Sequence, residues 1–244
     1  MAEPDKTFKN SWGNLIRAES YSKLEFPNTY YLAYRDLPEI LSEHVTGYKA
    51  VDFGCGTGRS TRFLKKLGFD VIGIDISEDM LEIARNLDRT GDYQIVTNGS
   101  YSHLGISQFD LVASIFTFDN IPGWENRAMI LKALRLLLKP SGKMICLDST
   151  PELYTNEWAS FSNKDFPENW QAKTGDIVRD IMLDVEDRRP VEDVFWTLPD
   201  YHELFKRAGF KVEAFYKPLG YKEEPFNWVS ELNIAPWMIF IFSI

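Results

Sequence analysis

The chain has 244 residues, a length that fits one α/β domain with an additional cap. Hydrophobic residues make up 44% of the sequence, which argues against disorder, and the formal net charge of −9 argues against nucleic acid as a partner. The two cysteines, Cys55 and Cys146, are too few for a disulfide framework and are typical of a reducing compartment.

The two ends of the chain carry no membrane or secretion signal. Residues 1–10 lack the apolar centre of a secretory signal, and the apolar run at residues 234–244 is too short to span a bilayer. We interpret that run as a buried strand. We therefore expect a cytoplasmic protein with no membrane partner.

Hydrophobic periodicity predicts an alternation of strands and helices after two N-terminal helices at residues 12–21 and 28–43. Short connections between alternating strands and helices predict a parallel sheet with helices on both faces. The strands are predicted at residues 49–53, 71–76, 93–97, 109–116 and 143–148, and the helices at 60–67, at 78–87 after an N-cap at Ser77, and at 126–138.

The alternation stops at Ser149. Residues 151–198 are rich in aromatic and acidic side chains and do not fit a further crossover helix, so we expect an insertion over the carboxyl edge of the sheet. Within it, the period of residues 177–185 fits either a helix or a strand. The pattern resumes with a helix at 199–208 and strands at 210–216 and 235–243, and these two strands are expected to pair antiparallel.

A glycine-rich turn, Gly54-Cys55-Gly56-Thr57-Gly58, follows the first predicted strand. Glycines at such a turn let a ligand approach the backbone without obstruction by a Cβ atom. The dinucleotide pattern G-x-G-x-x-G fails at Arg59 or at Thr61, and the phosphate-binding P-loop fails at Arg59 and Ser60. An acid two residues before G-x-G-x-G is typical of S-adenosylmethionine sites, and this pattern matches at every position.

The turn alone is also compatible with an ordinary connection between strand and helix. Asp75, at the end of the second predicted strand, favours a ligand because a carboxylate there can accept both hydroxyls of a ribose. The turn and Asp75 together predict a site for a ligand that contains adenosine.

These motifs resemble those of the class I S-adenosylmethionine-dependent methyltransferases. Residues 51–60 are similar to motif I of that family, Asp75 to its ribose-binding acid, and residues 77–80 to the element whose methionine packs on adenine. Residues 109–114 resemble the motif IV region, and residues 137–143 resemble the turn before the fifth strand. The resemblance covers residues 49–148 and implies S-adenosyl-L-methionine as the cofactor.

One segment departs from the family pattern. Where the family commonly has Gly-Asp after the third strand, this chain has Thr97-Asn98-Gly99-Ser100, so Asn98, Ser100 or a backbone group is expected to bind adenine. The cofactor-binding residues implied by the resemblance are Asp52, Gly54, Cys55, Gly56, Gly58, Asp75, Ile76, Met80, Asn98, Gly99, Ser100, Ser114 and Phe116.

Asp119 is the candidate catalytic residue, because it follows the fourth strand in a loop that lies near the methyl group in the family. A general base is needed only if the acceptor keeps its proton at neutral pH. The alternative for Asp119 is a turn or capping role, since Asp and Asn are common shortly before proline. His103 and Asp148 are further candidates for the base. No Asn-Pro-Pro-Tyr motif and no cysteine stand at the end of the fourth strand, which disfavours methylation of planar amides or of cytosine.

The fold class that follows is α/β, with a Rossmann-like, seven-stranded, mostly parallel sheet, an antiparallel last strand and a cap insertion. We expect a helical lid at residues 1–45, a cofactor-binding core at 46–150, a substrate cap at 151–198, and a helix with a strand pair at 199–244 that completes the core.

Methyl transfer to nitrogen or oxygen of a small molecule is the function we expect. The predicted cap has eleven acidic and five basic residues, which favours a cationic acceptor or is simply a solvated surface. Residues 29–35 are a candidate lid over the cofactor or a helix packed on the sheet. A sensor or partner subunit that binds the cofactor without methyl transfer, and a protein side-chain methyltransferase, are the alternatives. No metal site is predicted.

Overall fold

The structure, a computed structural model, describes residue 8, residues 11–12, residues 15–97 and residues 99–244. Within these ranges the chain forms a large sheet and a small one, with helices against the large sheet. The strands are β1 (Lys49–Phe53), β2 (Asp70–Asp75), β3 (Asp92–Ile95), β4 (Phe109–Ile115), β5 (Leu138–Ser149), β6 (Phe161–Ser162), β7 (Ile177–Met182), β8 (Val191–Val194), β9 (Lys211–Tyr216) and β10 (Trp237–Ser243).

The large sheet has the order β3-β2-β1-β4-β5-β10-β9. Neighbouring strands from β3 to β5 are parallel, whereas β10 is antiparallel to both β5 and β9. The predicted Rossmann-like sheet with an antiparallel last strand is therefore confirmed. Strand order reverses between β1 and β4, where open α/β sheets bind ligands beyond the carboxyl ends of the strands.

Alternating side chains of the central strands supply two separate cores, one on each face of the sheet. On β4, Leu111 and Ala113 pack into one core and Val112 into the other. Helices close both cores because each presents an apolar stripe to the sheet. The helices are α1 (Leu15–Ser22), α2 (Thr29–Arg35), α3 (Leu37–His44), α4 (Arg59–Lys66), α5 (Glu78–Leu87), α6 (Trp124–Leu137) and α7 (Leu198–Arg207).

The N-terminal helices differ from their prediction. The single helix expected at residues 28–43 is divided at Asp36, and Pro38 occupies the first turn of α3, a position where its missing N–H costs nothing. The helix expected at residues 12–21 begins at Leu15, and Trp12 lies in a turn. Both differences lie at helix boundaries, which hydrophobic periodicity does not define well.

The helix α5 begins as its sequence predicts. Ser77 Oγ accepts a hydrogen bond from Met80 N at 3.4 Å, and Glu78 and Asp79 lie in the first turn, where acids favour the helix dipole. The capped start orients residues 76–80 toward the end of β1.

The segment at residues 151–198 contains the small antiparallel sheet β6-β7-β8 and lies at the carboxyl edge of the large sheet. The region whose period was ambiguous is a strand, β7, and its alternate side chains Val178, Asp180 and Met182 are buried. The division of the chain into four segments stays a prediction. None of the helices in the described parts of the chain is both long and apolar enough to cross a membrane.

Candidate active site

A cavity of about 400 Å³ opens at the carboxyl edge of the large sheet, a volume typical of small-molecule sites. Three parts of the chain enclose it: the turn after β1, the N-terminal segment with α1 and α2, and the residues 151–198. Predicted cofactor residues that line its wall are Gly54, Cys55, Gly56, Asp75, Ile76, Met80 and Phe116, and Asp119 lines it as well.

The glycine turn at the cavity requires glycine for two reasons. Gly54 and Gly56 have φ values of 69° and 53°, in the left-handed region that side chains with a Cβ atom rarely adopt. A Cβ atom at Gly54 would overlap the side chain of Thr117, and one at Gly56 would lie 3.1 Å from Met80 Cε. The turn therefore leaves its backbone bare on the side that faces the cavity.

Asp75 connects β2 to this turn. Its Oδ2 accepts a hydrogen bond from Gly56 N at 2.8 Å, and its Oδ1 accepts one from Ser77 N at 2.9 Å. Burial raises the pKa of Asp75, while the backbone amides of Ser77 and Gly56 oppose that rise. Because a carboxylate offers about four acceptor positions, Asp75 keeps capacity for two further donors, as the two hydroxyls of a ribose require.

The wall beside Asp75 is apolar. Ile76 is 50% exposed although it follows a buried strand, and it lines the cavity with Met80 and Val96. An apolar wall beside this carboxylate fits the planar adenine ring of the expected cofactor.

Phe116 has φ 58°, which is uncommon for an aromatic residue and marks a backbone held by its surroundings. Its ring lies 4.8 Å from that of Trp237 and 5.7 Å from that of Tyr30, both in the cavity wall. The end of β4 is therefore locked against α2 and β10.

Asp52 is buried and does not line the cavity. Its Oδ2 accepts hydrogen bonds from Ser60 Oγ and Thr61 Oγ1, each at 2.6 Å, and burial raises its pKa to about 6. Asp52 thus fixes the first turn of α4 to the end of β1. Any contact between Asp52 and the cofactor stays a prediction.

Other predicted residues also lie away from the cavity wall. Ser114 is buried inside β4, Gly58 precedes α4, and Gly99 and Ser100 form a turn that faces α6 through Met129. Asn98 lies outside the described residues. The cofactor contacts of these residues stay predictions.

Asp119 is 5% exposed, and both of its carboxylate oxygens accept hydrogen bonds. Tyr201 Oη donates to Oδ1 at 2.9 Å, and Ser149 N donates to Oδ2 at 3.1 Å. Burial raises the pKa of Asp119, and its hydrogen bonds and Arg127 oppose that rise. These two hydrogen bonds fix the orientation of the Asp119 carboxylate in the wall, and a catalytic role for Asp119 stays a prediction.

The other two candidate bases do not line the cavity. His103 is exposed on a short turn of helix, and Asp148 is buried in β5, where Cys146 Sγ donates to its Oδ2 at 3.3 Å. Neither residue is therefore placed to act on a ligand in this cavity.

Arg59 is a wall residue that sequence reasoning did not assign to the site. Its guanidinium lies 4.8 Å from the ring centroids of both Tyr21 and Tyr30, and it donates to Glu25 O at 3.0 Å. The position of Arg59 directly after the glycine turn indicates that it faces the site. It connects the turn to α1 and α2.

Asp180 and Asp193 are two further wall residues that were not assigned. They lie on β7 and β8, are 2% and 7% exposed, and face the cavity. Tyr154 Oη donates to Asp193 Oδ2 at 3.1 Å. Burial raises the pKa of Asp180 to about 7 and also raises the pKa of Asp193. The alternation of Val178, Asp180 and Met182 was the available signal, because it gives an acid the same face as two apolar residues.

Comparison with known proteins gives a match to the family described as "Methyltransferase domain", over residues 51–146. The N-demethylindolmycin N-methyltransferase of Streptomyces griseus is 24% identical, over 82% of this chain and 86% of that enzyme. A ubiquinone biosynthesis O-methyltransferase of Stutzerimonas stutzeri is 30% identical, over 47% of this chain. That match spans about half of the relative's length, 51%.

Solved structures show the same fold. An S-adenosylmethionine-dependent methyltransferase from Mesorhizobium loti superposes with a TM-score of 0.62 at 21% identity, over 87% of this chain and 98% of that one. Residues 51–146 therefore match a methyltransferase domain, and the chain has the fold of S-adenosylmethionine-dependent methyltransferases, as its motifs predicted.

Proposed function

We propose that this chain transfers the methyl group of S-adenosylmethionine to a nitrogen or oxygen atom of a small-molecule acceptor bound in the same cavity. The observation that carries the proposal is the continuity of the cavity, which extends from Gly56 and Asp75 to Asp180 and Asp193. A cofactor at one end and an acceptor at the other then meet inside one enclosure. The relatives named above as an N-methyltransferase and an O-methyltransferase support this class of reaction.

The cofactor supplies a methyl group already activated on a positively charged sulfur, so the protein has to hold and orient the reactants. Asp75 accepts the ribose hydroxyls, and the bare backbone at Gly54 and Gly56 admits the rest of the cofactor. Ile76 and Met80 provide the apolar contacts for adenine. These assignments agree with the sequence prediction and rest on the geometry of the wall.

The residues around the other end of the cavity exclude water. Tyr30, Phe161 and Trp237 are each buried and line the wall together, and α2 carries Tyr30 over the end of β4. An enclosed aromatic wall favours a small acceptor over a protein side chain, which needs an open groove. The net charge of −9 likewise favours a small molecule over nucleic acid.

We propose that Asp119 orients the wall at the point of transfer. Its two hydrogen bonds tie the loop after β4 to Ser149 at the end of β5 and to Tyr201 on α7. We propose this positioning role in addition to the general base that the loop position favours, because the two hydrogen bonds hold the carboxylate between Ser149 and Tyr201.

Titration calorimetry with S-adenosylhomocysteine tests the cofactor assignment directly. We expect a single site with a dissociation constant in the micromolar range, about 10 μM, typical of enzyme–cofactor pairs. Absence of binding at millimolar concentration would remove the proposal. Transfer of a labelled methyl group to a fraction of a metabolite extract then distinguishes an enzyme from a sensor that only binds the cofactor.

We also propose a cytoplasmic location. Both cysteines, Cys55 and Cys146, are free and buried, which is typical of proteins kept in a reducing compartment. Cell fractionation followed by immunoblotting tests this location, and recovery with membranes or in a secreted fraction would contradict it.

A further inference from the structure

Three carboxylates gather where the cap meets the sheet. Asp119 follows β4, Asp180 lies on β7 and Asp193 lies on β8, and all three are at least nine-tenths buried in the wall of one cavity. Burial raises the pKa of both Asp180 and Asp193, and the charge of Asp119 raises it further, as expected for carboxylates in the wall of one cavity. Like charges in a buried wall are unfavourable unless a cation joins them.

Asp180 differs from the other two because it has no hydrogen-bond partner among the described residues. Its Oδ1 is buried and unpaired, whereas Asp119 accepts two hydrogen bonds and Asp193 accepts one from Tyr154. Burial of an unpaired carboxylate lowers the free energy of unfolding by several kcal/mol, which is about the total stability of a folded domain. A group retained at that cost in a cavity wall is best explained by a ligand that supplies its partner.

Two arginines act on this cluster. Arg17 forms an ion pair with Asp187 at 3.3 Å. Arg127 stacks on the ring of Trp196 at 4.1 Å and donates from Nε to Ile121 O, while its buried Nη1 and Nη2 have no hydrogen-bond partner among the described residues. Both lower the pKa of acids in the cluster without bonding to Asp180. Within the described ranges, Asp180 therefore has no cation in hydrogen-bond contact.

Aromatic rings form the rest of this end. The ring of Tyr30 lies 5.2 Å from Phe161 and 5.7 Å from Trp237, and Phe161 lies 5.6 Å from Trp237. The Tyr30 ring lies 4.8 Å from the guanidinium of Arg59, which follows the glycine turn, and it lines the same cavity as Asp180. Faces of aromatic rings attract cations, so carboxylate and rings favour the same kind of ligand.

We propose that the acceptor of this methyltransferase is an amine that binds as its ammonium form, with Asp180 receiving an N–H of the reacting nitrogen. The proposal rests on the proposed function and names the acceptor class within it. A neutral alcohol offers one donor and no charge, so it leaves the repulsion within the cluster unrelieved. Among the described residues, no group of three or more His, Cys, Asp or Glu side chains is arranged to hold a metal ion.

The chemistry of this step balances without another reactant. The ammonium gives one proton to the Asp180 carboxylate, which leaves a neutral amine with a free lone pair. The lone pair forms the new nitrogen–carbon bond to the methyl group while the carbon–sulfur bond of the cofactor breaks, and sulfur keeps that electron pair. The product is a methylated ammonium and S-adenosylhomocysteine, and the proton on Asp180 leaves to solvent when the product departs.

The test compares paired probes that differ only in the reacting group. Calorimetry on the protein saturated with S-adenosylhomocysteine measures binding of 2-phenylethylamine against 2-phenylethanol and of tryptamine against tryptophol. We expect each amine to bind at least tenfold more tightly than its alcohol. Equal affinities, or no detectable binding of either amine at 10 mM (about the weakest binding that the method resolves), would overturn the proposal.

Variants identify the carboxylate responsible. Asp180→Asn keeps the size of the side chain and is expected to reduce the amine preference at least fivefold, with unchanged affinity for S-adenosylhomocysteine. The matched control is Glu192→Gln, which removes a charge on β8 that pairs with Arg179 outside the cavity, and it should leave both affinities unchanged. An amine preference that survives Asp180→Asn at full strength would contradict the role of Asp180. The paired probes test the wild-type protein even if the variant fails to fold, and a failure to bind S-adenosylhomocysteine counts against the proposed function instead.

Discussion

Asp75 and Gly56 are joined by a hydrogen bond of 2.8 Å from the amide of Gly56 to Oδ2 of Asp75. The two residues belong to different motifs, one at the end of β2 and one in the turn after β1. The carboxylate of Asp75 therefore stabilises the turn through Gly56 N. In the proposed site the same carboxylate also binds the ribose of the cofactor.

Asp75→Ala is expected to weaken binding of S-adenosylhomocysteine by about 30- to 150-fold, which corresponds to about 2–3 kcal/mol for charge-assisted hydrogen bonds. Titration calorimetry measures this change. The control is Asp70→Ala at the exposed opposite end of β2, where affinity should stay within twofold. An Asp75→Ala protein with wild-type affinity would show that the ribose is held elsewhere.

Gly54→Ala and Gly68→Ala separate backbone strain from steric overlap. Both glycines have positive φ, 69° and 94°, so alanine costs about 1–2 kcal/mol at either position. Only at Gly54 does the new methyl group also meet a side chain, that of Thr117, whereas nothing lies within 4 Å at Gly68. We expect Gly54→Ala to lose more stability in urea unfolding and at least tenfold in cofactor affinity, and Gly68→Ala to keep its affinity. Equal effects of the two variants would show that the turn does not need a bare backbone.

Tyr201→Phe removes the hydrogen bond to Asp119 Oδ1 and leaves that buried oxygen without a donor. The free energy of unfolding should fall by about 1–3 kcal/mol. Tyr48→Phe is the control, since Tyr48 is largely exposed, and it should have no measurable effect. If Tyr201→Phe keeps full stability but loses activity, Asp119 acts in chemistry rather than as a positioning residue.

Asp180→Asn should change the pH dependence of stability. Burial, with the nearby charge of Asp119, raises the pKa of Asp180 from 3.8 to about 7, and Arg17 opposes this. A raised pKa in the folded state stabilises the protein at low pH, and this stabilisation is lost as the pH rises toward 7. The variant should therefore gain stability over wild type between pH 5 and pH 7, with a constant difference above about pH 8. Urea unfolding at each pH measures the difference.

Asp187→Asn is the comparison variant, because the pKa of Asp187 is lowered whereas that of Asp180 is raised. Hydrogen bonds from Arg189 lower the pKa of Asp187, so the stability it contributes is present at neutral pH and is lost only as the medium becomes strongly acidic. This variant should be less stable than wild type by the same amount from pH 5 to pH 8. A difference between wild type and Asp180→Asn that does not vary with pH would contradict the raised pKa of Asp180.

Local sequence features predicted most of the wall residues at the proposed cofactor end of the cavity, which runs from Gly54 to Asp75 and Met80. The glycine turn and Ser77 are determined by neighbours within a few residues, through positive φ and a helix cap, and the run of apolar strands indicated the sheet. These features require no knowledge of the rest of the chain, which is why the sequence predicted that Gly54, Gly56 and Asp75 lie together at one cavity.

The proposed acceptor end of the cavity, with Asp119, Asp180 and Asp193, depends on contacts between distant parts of the chain. Asp119 and Tyr201 are 82 residues apart in sequence, and Asp180 faces the cavity only because β7 pairs with β8 in a small sheet of its own. The alternation of Val178, Asp180 and Met182 indicates a buried face for Asp180, but it does not show which cavity that face lines. The loop position of Asp119 likewise does not reveal its hydrogen-bond donors, because Tyr201 and Ser149 are distant in sequence.

Thr29 sits where three segments of the chain meet. Its hydroxyl accepts a hydrogen bond from Ser160 N and donates to Glu231 Oε1, while its carbonyl accepts from Trp237 Nε1. Exchanging residues 151–198 with those of a relative would therefore disrupt these hydrogen bonds, because their other partners lie in α2 and in residues 231–237. An acceptor preference that is engineered by exchanging segments therefore requires all three segments from the same protein. A hybrid that carries only residues 151–198 of a relative is expected to lose the hydrogen bonds of Thr29.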